Sequence, residues 1–144
     1  MEEALKQMGI TSRSMSRGEL YWVKDDIIQY PKERLPLQTE RTKHEGRPVI
    51  ILQTDIDNLD PTYVLVLIAP LSTKTEFQSD KDYKLDKGQG NLPEYCIVQL
   101  GHIQPILKRE LLTFIGKLDS PQLADIDAII AANLGLIERP FSNP

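Results

Sequence analysis

Three groups of polar side chains stand where this chain could do chemistry. His44, Glu45 and Arg47 precede one apolar run, Ser72, Thr73 and Lys74 follow another, and His102 sits beside Gly101. A guanidinium presents planar, paired donors that match the oxygens of a phosphate. Hydroxyls and an ammonium beside it add further donors, and an imidazole can carry protons near neutral pH. Together these groups would form a phosphate clamp with a proton carrier. Taken singly, each is more often structural, so a site requires that the fold bring them together.

The elements that must do so can be read from the pattern. Arg47-Pro48-Val49-Ile50-Ile51-Leu52-Gln53-Thr54 is the stretch around which the chain is organised. Its apolar run is too continuous for a half-wet strand, so both faces should be covered. Pro48 donates nothing to a ladder and fits the first residue or an edge of a strand. Tyr63 to Leu71 is a second, nearly continuous apolar strand. If the two pair antiparallel, the start of one lies beside the end of the other, and Arg47 meets Ser72 at one rim. Glu19 to Val23 makes an earlier strand, with Trp22 read as core packing. Between it and Arg47 runs a long connection, Ile28 to Gly46, whose basic residues outnumber the acidic ones. A loop of this length in a compact domain is often functional.

Further on, Asp55 to Pro61 reads as a turn, Tyr83 to Leu85 as a weak strand, and Tyr95 to Leu100 and Ile103 to Leu107 as strand segments broken at Gly101. Leu112 to Leu118 is a last strand. Ser120 as N-cap and Pro121 at N1 open a helix on which Leu123, Ile126, Ile130 and Leu134 keep helical spacing, and Gly135 ends it. The whole describes a mainly β (α+β) domain: a small, strongly bent antiparallel sheet or barrel with a C-terminal helix. The expected division is an N-terminal extension over residues 1–16, the barrel domain over 17–137 and a tail over 138–144.

Totals narrow the function class. The 144 residues are 40% hydrophobic and 26% charged, ordinary for one globular domain. No apolar run approaches the roughly 20 residues that span a bilayer, and the N-terminus lacks a signal-peptide pattern, so a cytoplasmic protein without membrane contact is expected. A net charge of −4 argues against coating nucleic acid by bulk charge and leaves room for a local basic stripe. The single cysteine, Cys96, permits no internal disulfide or cysteine metal site and reads as a small buried hydrophobe. No phosphate loop, zinc spacing or nucleophile elbow is present, and no cofactor or metal is expected.

Four stretches in order resemble the MazF/PemK family of toxin endoribonucleases. They are Arg17-Gly18-Glu19-Leu20-Tyr21-Trp22, then His44-Glu45-Gly46-Arg47-Pro48-Val49-Ile50-Ile51, then Leu71-Ser72-Thr73, then Leu118-Asp119-Ser120 with its helix to Asn133-Leu134-Gly135-Leu136. The resemblance implies an SH3-like barrel, a homodimer, a cognate antitoxin, and metal-independent cleavage of single-stranded RNA by attack of the ribose 2′-hydroxyl. It implies that Arg47 stabilises the phosphate with Ser72 and Thr73, and that His44 is the best proton carrier, Glu45 a weaker one. Some members carry a catalytic Arg and Asp where this chain has Gln99 and Gly101, and His102 is the neighbour able to substitute. Arg34, Arg41, Lys43 and Lys74 are the expected RNA contacts, and the basic loop from Lys32 to Arg47 the expected antitoxin dock. The alternative is a catalytically weak or inactive relative that binds RNA or an antitoxin.

Overall fold

The computed structural model describes residues 14–31, 44–74 and 79–139. Seven strands are present there: β1 (Glu19–Lys24), β2 (Gly46–Ile51), β3 (Leu65–Ser72), β4 (Tyr83–Leu85), β5 (Cys96–Val98), β6 (Gln104–Leu107) and β7 (Phe114–Lys117). All their pairings are antiparallel, in the order β4-β5-β3-β2-β1-β7, with β6 also on β3. The eight-residue β3 is the spine. Its first half pairs with β6 and its last two residues with β5, so the sheet curls where the partner changes. The result is a curled half-barrel with a C-terminal helix.

Both faces of β2 are covered, as its unbroken apolar run requires; β3 starts at Leu65 rather than Tyr63, and Leu67 on it stays exposed. Leu20, Ile50, Ala69 and Leu71 face one cluster, which α2 (Ser120–Asn133) closes with Ile126 and Ile129. Tyr21, Val23, Val49, Ile51, Val66 and Ile68 face a second cluster. Met15 is fully buried in that second cluster although it falls within residues 1–16.

Several local readings are corrected by tertiary context. Pro48 is the third residue of β2, not its first. It pairs with Trp22 of β1, while the β3 ladder starts only at Val49, so its missing N–H breaks no bond to β3. Asp55 to Asn58 forms one helical turn, α1, on bonds from Asp57 and Asn58 N–H to the Thr54 carbonyl. The helix α2 is capped by Asp119 rather than Ser120: the Asp119 carboxylate accepts the Gln122 N–H at 2.8 Å, and Gln122 Oε1 accepts the Asp119 N–H at 2.9 Å. Its end follows expectation, with Gly135 at φ +76° and bonds from Gly135 and Leu136 N–H to Ala132 and Ala131. Leu134, by contrast, is 69% exposed, so the buried stripe ends a turn earlier.

Arg17 ties the entry of the barrel to this helix: its Nε donates to the Leu52 carbonyl and its guanidinium pairs with Asp127. Gly116 marks the tightest approach in the sheet, because a Cβ there would lie 2.2 Å from the Gly90 carbonyl oxygen. Gly116→Ala is expected to lower unfolding free energy by about 2 kcal/mol through forced backbone displacement. Urea denaturation checks it, and an unchanged midpoint would show that the 89–91 turn simply yields.

Candidate active site

Pairing of β1 with β2 sets Val23 beside Arg47 and Lys24 beside Gly46. One step further brings Asp25 against the residues before Gly46, and this decides the site. Asp25 is completely buried. Its Oδ1 accepts Arg47 Nε at 2.6 Å and its Oδ2 accepts the His44 backbone N–H at 2.8 Å. On the other side of β2, Arg47 Nη1 donates to the Leu71 carbonyl at 2.8 Å. Extending the β2–β3 register would set Leu71 beside Pro48, which has no N–H to offer, so the guanidinium fills that vacancy in the ladder. Tyr30 lies beneath, with the Arg47 Cζ 5.4 Å from its ring centre. Arg47 is 9% exposed, and that sliver faces a cleft.

The cleft encloses about 230 Å³ and is lined by His44, Arg47, Ser72, Thr73 and Lys74, among others. The two rims therefore meet. Ser72 Oγ accepts the Lys74 N–H at 3.2 Å, which keeps its own hydrogen available to donate. His102 is not among the lining residues. A 3-10 turn, Leu100–His102, sets its imidazole roughly perpendicular to the Tyr30 ring, 5.0 Å between centres, and Tyr30 in turn lines the cleft. Gln99 lines the cleft and accepts a hydrogen bond from the Tyr30 hydroxyl. Glu45 is exposed and not part of the lining. Arg34, Arg41 and Lys43 lie outside the described residues.

Five lining or supporting residues fall outside the site that the pattern marks. Asp25 lies just before the long connection and Tyr30 within it, and only the tertiary fold turns them toward Arg47. Glu94 brings a carboxylate to the cleft from the turn before β5. Trp22, expected wholly in the core, packs on it and also walls the cleft. Cys96 is a buried lining residue, and burial pushes its thiol up to about 11, with Glu94 adding to the shift and Arg47 opposing it. Among the described residues no group of three or more His, Cys, Asp or Glu could hold a metal ion, and no helix is long and apolar enough to cross a membrane.

The profile of the PemK-like, MazF-like toxins of type II toxin–antitoxin systems matches residues 16–134. No match was found among curated proteins. Solved structures agree in fold. The Mycobacterium tuberculosis toxin MazF-mt6 superposes with a TM-score of 0.60 at 19% identity, covering 81% of this chain and 96% of its own. A mycobacterial endoribonuclease in complex with its cognate antitoxin gives 0.59 at 18% identity, covering 90% and 99%. MazF from Deinococcus radiodurans gives 0.61 at 15% identity, covering 85% and 98%.

Two outcomes test this geometry. Asp25→Ala leaves a buried guanidinium uncompensated and is expected to cost about 3–5 kcal/mol of stability, read by denaturant unfolding. A loss below about 1 kcal/mol would mean the pair is dispensable. Because burial keeps the Cys96 thiol protonated at pH 8, a disulfide reagent should leave the native thiol unmodified and react fully once the chain is denatured.

Proposed function

Since the chain belongs to the PemK-like, MazF-like toxin family of type II toxin–antitoxin systems, we propose that it is an endoribonuclease that cuts single-stranded RNA without a metal ion. What supports this reading is one observation: Arg47, Ser72, Thr73, Lys74 and His44 line a single cleft. Asp25 and the Leu71 carbonyl hold the guanidinium from two sides, so its remaining N–H groups meet a phosphate without reorganising.

In the proposed step the ribose 2′-hydroxyl gives its proton to the His44 imidazole as its oxygen bonds to phosphorus. The bond from phosphorus to the 5′-oxygen breaks, and that oxygen leaves with a proton from water. Negative charge grows on the non-bridging oxygens in between. Arg47, the Ser72 and Thr73 hydroxyls and the Lys74 ammonium supply donors and charge for it, the part a metal would otherwise play. Glu94 is the other lining group able to take a proton, and His102 supports Tyr30 from outside the lining. In this reading the toxin works in the cytoplasm as a homodimer. A cognate antitoxin holds it silent, a part supported by the mycobacterial endoribonuclease solved with its own antitoxin. Docking of that antitoxin on the basic loop from Lys32 to Arg47 remains part of the proposal.

A second reading has its own support. Gln99 is engaged by the Tyr30 hydroxyl and cannot transfer protons, which suits a module that binds RNA or antitoxin without cutting. Cleavage of single-stranded RNA in excess chelator separates the two. Arg47→Lys keeps the charge beside Asp25 and should fold, yet it loses the paired donors, so cleavage should fall about 10²-fold or more. Wild-type rates in that variant would remove Arg47 from the chemistry. His44→Ala should cost about 10²- to 10⁴-fold if the imidazole carries the proton. A full-rate His44→Ala with a dead Glu94→Gln would transfer that role to the carboxylate.

A further inference from the structure

A second depression adjoins the cleft and shares Thr73, Pro93 and Glu94 with it. Its other walls are Lys84, Lys87 and Tyr95. Tyr95 is 53% exposed, and the Lys84 ammonium rests 5.5 Å from its ring centre. Lys84 comes from β4 and Tyr95 from the turn entering β5. The β4–β5 ladder, with Leu85 opposite Cys96, therefore sets the ring and the ammonium side by side. The feature thus combines two cations, one half-exposed aromatic ring and continuity with the cleft that Arg47 lines, in a chain whose net charge is −4.

We propose that this depression is a subsite for a nucleotide flanking the scissile phosphate, with its base stacked on Tyr95 and its phosphate held by Lys84 and Lys87. Single strands are gripped in this way wherever a basic groove carries an open ring, because every base has a π-face. An arriving base displaces the Lys84 ammonium from the ring onto the phosphate, exchanging a cation–π contact for a stack and an ion pair. An acidic peptide would satisfy the lysines and leave the ring without a stacking partner, so the tyrosine favours RNA. Glu94, at the seam between the two hollows, repels a phosphate placed there and accepts a hydrogen bond from a base amino group, which sets the strand's register. The subsite deepens the ribonuclease reading and rests on it for the identity of the ligand.

The test measures binding and cutting separately on the full chain. Binding is read by anisotropy on labelled single-stranded RNA with 2′-fluoro riboses, which lack the attacking hydroxyl; cutting is read on natural RNA. Tyr95→Ala should weaken binding about 5- to 100-fold while Tyr95→Phe stays near wild type. Lys84→Gln with Lys87→Gln should reduce the salt dependence of log affinity by about 1.4. Lys117→Gln, an exposed lysine on β7, should change neither. The same losses should appear in KM on natural RNA.

Wild-type affinity in Tyr95→Ala, or equal weakening by Lys117→Gln, overturns the subsite. So does a loss confined to polyglutamate binding, which would assign the lysines to an acidic partner. A wild-type chain that never cuts, yet loses 2′-fluoro RNA on Tyr95→Ala, upholds the subsite and defeats the nuclease reading. Normal cutting with an unchanged KM in Tyr95→Ala does the reverse.

Discussion

A fully buried carboxylate paired with a nearly buried guanidinium is the interaction on which this structure turns. Losing water costs each charge several kcal/mol, and the pairing offsets that cost. Paired at 2.6 Å, and with its second oxygen on the His44 N–H, Asp25 ties together the end of β1, the return of the long connection and the start of β2. Arg47 extends the tie to β3 through the Leu71 carbonyl. Three strands and one loop end are thus gathered at a single point. A residue that elsewhere would swing through several rotamers is held with its free donors pointing one way.

This rigidity has an electrostatic side. A guanidinium neutralised by a close carboxylate attracts phosphate less strongly over distance than a free one, but it still offers directed N–H groups at contact. For the RNA ligand proposed above, long-range attraction to a chain of net charge −4 must therefore come from other groups. The lysines along the cleft, Lys74 within it and Lys84 and Lys87 beside it, are the described residues suited to that task. In the proposed reading the work is divided between a fixed, paired donor set and exposed ammonium groups.

The rest of the fold serves to hold that point steady. The long strand β3 changes partner midway, from β6 to β5, and so delivers Leu71 and Ser72 to the rim while its first half closes the opposite end. Two apolar clusters, one on each face, prevent the central strands from shifting register without exposing an entire face. At the far side, Arg17 joins the barrel's first turn to α2 through Asp127, and Tyr83 reaches the same helix through Asp125 at 3.2 Å. The helix is thereby braced at edge strand β4 and just ahead of β1.

Much of this could be read from residue order alone. Unbroken branched-apolar runs at Val49 to Leu52 and at Tyr63 to Leu71 demanded buried strands, and helical spacing closed by Gly135 demanded one helix, because burial and backbone geometry act locally. Antiparallel pairing of two such strands then put Arg47 and Ser72 at one rim. Tertiary structure alone decided which carboxylate would balance Arg47. Asp25 stands in a short polar stretch like many others, and only the β1–β2 register carries it into the interior. It likewise decided that Tyr30 and Glu94 converge on the cleft, that Tyr95 lies in the depression beside it, and that His102 is not part of the lining. Those contacts join segments far apart in the chain, and local propensity holds no information about which distant backbone will arrive beside them.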